Sequence, residues 1–307
     1  MKITFEDTTK TRLDAFLTTQ LPISRSQIQK LITSGQISVN KEVVTKHHWL
    51  HSGDIIEYTK KDITDRSKVI KFKPNKDVKI NVLHEDPNYI IIEKQTELLV
   101  HPTDRGETDT LANGLLAKYP KIKGVGDQEN RPGIVHRLDK KVSGLLLVTK
   151  NQEAFEYYKN LFKNREINKI YFGLVHGNME EPHGEINLPI ARSKSKHGRM
   201  AAQTVSTVVA KDALTKYELL KMYTHFSYLQ IEIETGRTHQ IRVHMNAIGH
   251  PIVGDPLYKQ KNVKQHIDLD RPFLHAGELS FLDQSGELQK FTSPLPPELH
   301  TILEKLK

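Results

Sequence analysis

Near the N-terminus the apolar residues fall at helical spacing. Arg12-Leu13-Asp14-Ala15-Phe16-Leu17 reads as a short amphipathic helix, and after Leu21-Pro22-Ile23 a second is better marked. Its Ile28, Leu31 and Ile32 recur at i, i+3 and i+4, leaving Arg25, Gln29 and Lys30 toward solvent. Ser24 with Gln27 forms a capping-box pair before it, and Gly35 supplies the stop. The period then shortens to two: Ile37 and Val39 alternate with Ser38 and Asn40, a turn is expected at Asn40-Lys41, and Ile55-Ile56-Glu57-Tyr58 follows Gly53-Asp54 as a strand. Residues 1–60 are therefore expected to form two helices and a small sheet.

Residues 61–79 show no sustained period and little apolar content, so they read as a basic linker with one short strand near Val69-Ile70. From residue 80 to 307 the texture changes. Val78 to Val82, Tyr89 to Glu93, Leu98 to Pro102, Leu145 to Thr149 and Ile170 to Val175 are strand-like, as are Lys216–Met222 and Ser227–Glu234. Thr110 to Tyr119, Gln152 to Asn164 and a segment from near Thr238 are helical. Strand pairs mixed with a few helices predict an α+β domain with a mixed, largely antiparallel sheet. A regular βαβ alternation is missing, which argues against a doubly wound nucleotide fold.

Charge adds a partner to this picture. The first 76 residues hold 14 Lys/Arg against 8 Asp/Glu, so most of the chain's net +8 sits in its first quarter, as a polyanionic partner would require. Zero cysteines exclude disulfides, thiolate zinc sites, iron–sulfur clusters and a cysteine nucleophile. With no apolar run of membrane length and no secretory signal at Met1 to Asp7, a cytoplasmic protein without a membrane partner is expected.

The strongest local signal is Arg131-Pro132-Gly133-Ile134-Val135-His136-Arg137-Leu138-Asp139, which runs through Ser143-Gly144 into a buried strand. It places His136, Arg137 and Asp139 on a glycine-bearing loop, where function usually resides. From the residues alone Asp139 is an active-site carboxylate or half of a structural Asp–Arg pair. Tyr171, on its strand alone, reads as a hydrophobic strand residue. His239, His244, His250 and His275 lack the spacing and the acidic partners of a metal site, so no metal is expected. Lys141 stands where a nucleophile elbow needs glycine, and no Gly-x-x-x-x-Gly-Lys loop is present.

Two resemblances give these residues roles. Arg12-Leu13-Asp14, Ser24-Arg25-Ser26-Gln27, Gly35, Val39-Asn40 and Gly53-Asp54 occur in the order of the S4 RNA-binding domain, whose second helix contacts structured RNA; this implies RNA-binding roles for Arg25 and Lys30. His136-Arg137-Leu138-Asp139 with Ser143-Gly144-Leu145-Leu146-Leu147-Val148 resembles the central signature of the RluA-type pseudouridine synthases. Lys169-Ile170-Tyr171, Val175-His176-Gly177, Thr235-Gly236-Arg237-Thr238-His239-Gln240-Ile241-Arg242 and Gly249-His250-Pro251-Ile252-Val253-Gly254-Asp255 match its later motifs in order. The pairing with an S4-like domain is similar to the RluD-like members that modify large-subunit ribosomal RNA.

That resemblance implies an isomerase without cofactor, acting as a monomer on ribosomal RNA or a large-subunit assembly particle. In it Asp139 is the catalytic carboxylate, Arg242 the cation that holds Asp139 ionised and oriented, and Tyr171 the aromatic against the uracil. Arg137 fills the space left by the flipped base, and His136 joins it in binding substrate. The sequence departs from the family where Lys94-Gln95-Thr96-Glu97 replaces the Lys-Pro-x-Gly turn of many members and where Val142 replaces a frequent threonine. Alternative readings are a non-catalytic RNA-binding or ribosome-assembly factor that keeps the fold, and a metal hydrolase using His136 and Asp139.

Overall fold

Helical and alternating stretches condense into two units, Met1–Lys71 and Phe72–Lys307. The structure, a computed structural model, describes the chain except residues 8, 22, 24, 60–71, 104, 194–197, 204–209 and 260–266, and the side chains of Arg25 and Ser26. The Ser24 cap, the Arg25 side chain and the strand expected at Val69-Ile70 lie outside the described residues.

In the first unit, β1 (Lys2–Thr4), β2 (Thr11–Arg12), α1 (Leu13–Gln20) and α2 (Arg25–Thr33) are followed by β3 (Ile37–Val39), β4 (Glu42–Val43), β5 (Trp49–Leu50) and β6 (Ile55–Tyr58). The sheet runs β1-β6-β3-β4, with β2 and β5 paired separately. Leu13, Leu17, Ile28, Leu31 and Ile32 are buried against Ile37 and Ile56, as the spacing predicts. Asn40 and Lys41 both take positive φ at the tight turn between β3 and β4. Gln29 departs from its expected solvent position: its amide donates to Asp14 at 2.5 Å. The reason is that Asp14 is fully buried, and its carboxylate, bonded twice by Arg12 at 3.0 and 2.9 Å, needs further donors.

The second unit contains β7 (Asn81–Glu85), β8 (Tyr89–Lys94), α3 (Leu111–Lys118), β9 (Ser143–Thr149), α4 (Gln152–Asn164), β10 (Asn168–His176), β11 (His183–Asn187), β12 (Ile190–Arg192) and β13 (Met200–Ala202). Then come β14 (Leu214–Tyr223), β15 (Phe226–Ile233), α5 (Gln240–Ala247), β16 (Leu274–Leu282), β17 (Leu288–Thr292) and α6 (Pro297–Lys305). A nine-stranded sheet runs β11-β14-β15-β10-β16-β9-β8-β7 with β17 beside β16, and β12 pairs β13. Of its pairs only β9 with β16 is parallel among the described residues. Strand β9 is buried at every position, explaining its unbroken apolar run.

Leu98 to Pro102, expected as a strand, is irregular. Its carbonyls serve a helix instead: Leu99 and Val100 accept from the amides of Leu111 and Ala112 at the start of α3, at 2.8 and 2.9 Å. Phe72 packs on the main core, and the Asn113 amide donates to the Lys73 carbonyl at 2.7 Å, so the far end of the basic stretch is docked on α3. No helix among the described residues is long and apolar enough to cross a membrane.

Candidate active site

The loop 133–142 is bent back along β9 by glycine. At Gly133 φ is +68°, and a Cβ there would lie 2.2 Å from the Thr149 carbonyl oxygen, a distance no side chain tolerates. Close approach permits the Thr149 amide to donate to Gly133 at 2.9 Å and seats Ile134 opposite Val148. Further along, Leu138 and Val142 are buried in the core on either side of Asp139, whose carboxylate is 17% exposed and turned into a cleft of 420 Å³. That cleft is walled by this loop, by Phe162 of α4, by Lys169 and Tyr171 of β10, and by the turn entering α5. Val142 fills its site by packing, so the hydroxyl a threonine would bring has been exchanged for core contact.

Two groups, the half-buried His136 and the buried Lys94, hold the loop in place. The His136 ring stacks on Phe162 with centroids 4.4 Å apart, and its Nε2 accepts from the Leu147 amide at 2.8 Å. Burial and the nearby Lys169 ammonium push His136 down to about 3, so the ring is neutral with its proton on Nδ1. Lys94, 1% exposed, donates to the carbonyls of Gln95, Leu98 and Lys140 at 2.8, 2.9 and 3.1 Å. Lys140 directly follows Asp139, so this ammonium pins the loop that carries the carboxylate. Burial, aided by Arg271, lowers Lys94 to about 7.

Arg242 is shared by two carboxylates. Its Nη1 donates to Asp139 Oδ2 at 2.9 Å, while Nε and Nη2 donate to Asp255 at 2.6 and 2.8 Å. Burial alone would lower the Arg242 pKa, but the bonds and charges of Asp255 and Asp139 outweigh it and raise it, leaving a permanent cation. Asp255 is fixed in turn by the amides of Leu257 and Tyr258 at 2.8 and 3.1 Å. The Tyr258 ring lies 5.2 Å from the guanidinium, and its hydroxyl shares a 2.9 Å hydrogen bond with His239 Nδ1. His239, at φ +58° ahead of α5, brings Nε2 to 4.0 Å from Asp139.

The structure thus gathers Asp139, Arg242, Tyr171, Arg137 and His136 at one cleft, although Asp139 and Arg242 stand 103 positions apart. Tyr171 is buried, and burial together with the Asp139 charge raises its phenol above the ordinary range, so it is a neutral hydroxyl. Arg137 is exposed at the rim and makes no hydrogen bond or ion pair to other described residues. Lys30 is exposed in the last turn of α2 and belongs to the other unit. Asp255, Tyr258 and Lys94 carry no role in the sequence reading, although Asp255 ends one quoted motif and Lys94 opens a quoted departure, and His239 is weighed there only as a metal ligand. The other three histidines weighed as metal ligands are structural: His244 bonds Thr215 and Leu188, His250 bonds the His176 carbonyl, and His275 bonds Ser143 and Ser293.

Comparison with known proteins agrees with this geometry. The family described as RNA pseudouridylate synthase matches residues 88–247, and the S4 domain matches residues 11–56. The chain is 34% identical over 304 residues to an RNA pseudouridine synthase of Bacillus subtilis, covering 98% of this chain and 96% of that protein. It is also 34% identical to a protein of Neisseria meningitidis named ribosomal large subunit pseudouridine synthase D, over 96% of this chain and 79% of the relative. A solved structure of human RNA pseudouridylate synthase domain containing 1 superposes with a TM-score of 0.59 at 26% identity, over 74% of this chain and 89% of that one. Since the matched region spans the loop, the strand and the helix that build the cleft, the chain belongs to the RNA pseudouridine synthases, isomerases of uridine in RNA, and carries an RNA-binding S4 domain ahead of its catalytic unit.

Proposed function

We propose that Asp139 is the catalytic carboxylate and that the substrate is a uridine of large-subunit ribosomal RNA, modified in the cytoplasm. The observation that carries the first part is the Arg242 bridge, which fixes Asp139 through one carboxylate oxygen in the wall of the cleft. Tyr171, a buried phenol on the same cleft, offers a ring to stack on uracil and a hydroxyl for proton exchange. Isomerisation moves the ribose bond from N1 to C5 without redox change, so these side chains suffice. Support for the ribosomal target is the likeness to relatives named for the large subunit, over nearly the whole chain. Mapping pseudouridines in cellular RNA with and without the gene tests it: sites lost from large-subunit RNA are expected, and losses confined to other RNAs would refute the target.

Arg137 is the group placed to occupy the space of an extruded base. Leaving a stack costs a few kcal/mol, so Arg137→Ala is expected to slow single-turnover reaction about tenfold or more on a structured stem-loop and far less where the target uridine is unpaired. Arg137→Lys should rescue poorly, because an ammonium has no planar face. Equal fold-losses on both RNAs would assign Arg137 to phosphate binding instead.

The S4 unit supplies affinity in this reading. Removing residues 1–71 leaves the docked segment from Phe72 intact and is expected to weaken RNA binding and flatten its salt dependence, with isomerisation of a concentrated short RNA retained. A salt slope equal to that of the full chain would show that the basic unit does not contact phosphates.

A further inference from the structure

Lys169, which walls the cleft, has surroundings that differ from those of the other buried lysine, Lys94. It lies on β10 two residues before Tyr171, on the same face, and both side chains line the cleft that holds Asp139. At 7% exposure it is nearly as buried as Lys94. Lys94 fills its three donors with carbonyls, whereas among the described residues Lys169 makes a single bond of 3.5 Å, to the Glu234 carbonyl, at the limit of a hydrogen bond. The Phe162 ring lies 5.7 Å from its ammonium. The Glu234 carboxylate is already taken by Lys216 at 2.8 Å and Arg165 at 3.5 Å. Burial dominates the balance and lowers Lys169 to about 8, with Glu232 and Glu234 opposing and Arg165 assisting. A buried ammonium short of acceptors and facing a cleft is arranged to meet an anion there.

We propose that Lys169 is a catalytic residue that stabilises the uracil while it is detached from the ribose, an assignment that rests on reading this cleft as the uridine site. Breaking the C1′–N1 bond leaves its electron pair on N1, and the charge spreads to O2 and O4. The C1′–C5 bond then forms, C5 gives up its proton and N1 takes one up, so no oxidant or reductant enters. The ring is neutral in both substrate and product, and the negative charge exists only between the two bonds. A cation fixed in a site of low water content therefore favours the high-energy species over the bound substrate. The neutral His136 beside it leaves this task to the ammonium.

The test compares Lys169→Met and Lys169→Arg on two RNAs that differ only in carrying uridine or 5-fluorouridine at the target. Fluorine withdraws electrons and stabilises the departing ring anion by itself. Consumption of the target nucleoside is followed under single turnover at saturating enzyme, with RNA affinity measured against salt. Lys169→Met is expected to slow the uridine reaction about 10²- to 10³-fold, and the fluorinated one at least tenfold less, with affinity and salt slope unchanged. Lys169→Arg should recover at least tenfold on uridine. Equal losses on the two RNAs, or weaker binding with a shallower salt slope and an unchanged saturating rate, would overturn the role, the latter assigning Lys169 to a phosphate. Lys169→Gln repeats the comparison if the Met variant does not fold. Wild-type enzyme inert on both RNAs would instead overturn the reading of the cleft.

Discussion

Asp139→Ala is expected to lower pseudouridine formation by at least about 10⁴-fold while RNA affinity stays within a few-fold of wild type. The carboxylate is small, 17% exposed and confined to the floor of the cleft, whereas affinity comes from cations and stacking spread over the surface. Asp139→Asn sharpens the comparison, since its amide oxygen still accepts from Arg242 Nη1 and so keeps the geometry while removing the charge. Both variants should be equally inactive. Product detected from the Ala variant in a single-turnover assay would move the chemistry to another group.

The second large effect is expected at Asp255, which lies behind Arg242 and outside the lining of the cleft. Its carboxylate is 2% exposed as a residue and accepts four hydrogen bonds, two of them from Arg242. Asp255→Ala leaves Arg242 buried with Asp139 as its one carboxylate partner among the described residues, a change worth roughly 3–5 kcal/mol in stability. For a unit of this size that corresponds to a fall in Tm on the order of 10 °C. Activity should fall with it, since the guanidinium that orients Asp139 loses its anchor. Pairing Asp255→Leu with Arg242→Met removes both charges, and the double variant should lose less stability than the sum of the single ones. Additive losses would mean that the two side chains are not energetically coupled.

Much of this site was legible before the structure because each signature residue sits in a contiguous motif. Loop 136–139, the strand at Tyr171 and the helix entered near Thr238 could each be placed by local pattern, and α4 appears over the expected residues. What the pattern could not carry was pairing across the chain. Nothing near Asp255 announces that it anchors Arg242, and nothing near Lys94 shows that its amine reaches Lys140, 46 positions away. Leu98 to Pro102 misled for a related reason: its apolar residues match a strand, but the carbonyls that a ladder would use are claimed by the first turn of α3. Gln29 misled because its helix face is polar, and only the fold reveals a buried carboxylate opposite it.

The Lys94 pin also bears on how freely the loop after β8 tolerates change. An ammonium that recognises three carbonyl oxygens reads the path of the main chain and is indifferent to the side chains along it. Leu98 packs on the core and the Thr96 hydroxyl donates to the Lys141 carbonyl at 3.2 Å, but Gln95 and Glu97 are open to substitution so long as that path survives, and Glu97 shows how: it stands at φ +60°, where glycine is the easy choice, and its carboxylate meets Lys141 and Lys140 at 3.1 and 3.6 Å. A glycine turn and a charged, left-handed residue become interchangeable solutions to one geometric demand. Change at such a position then alters the exposed surface of this segment without disturbing the carboxylate that the pinned loop carries.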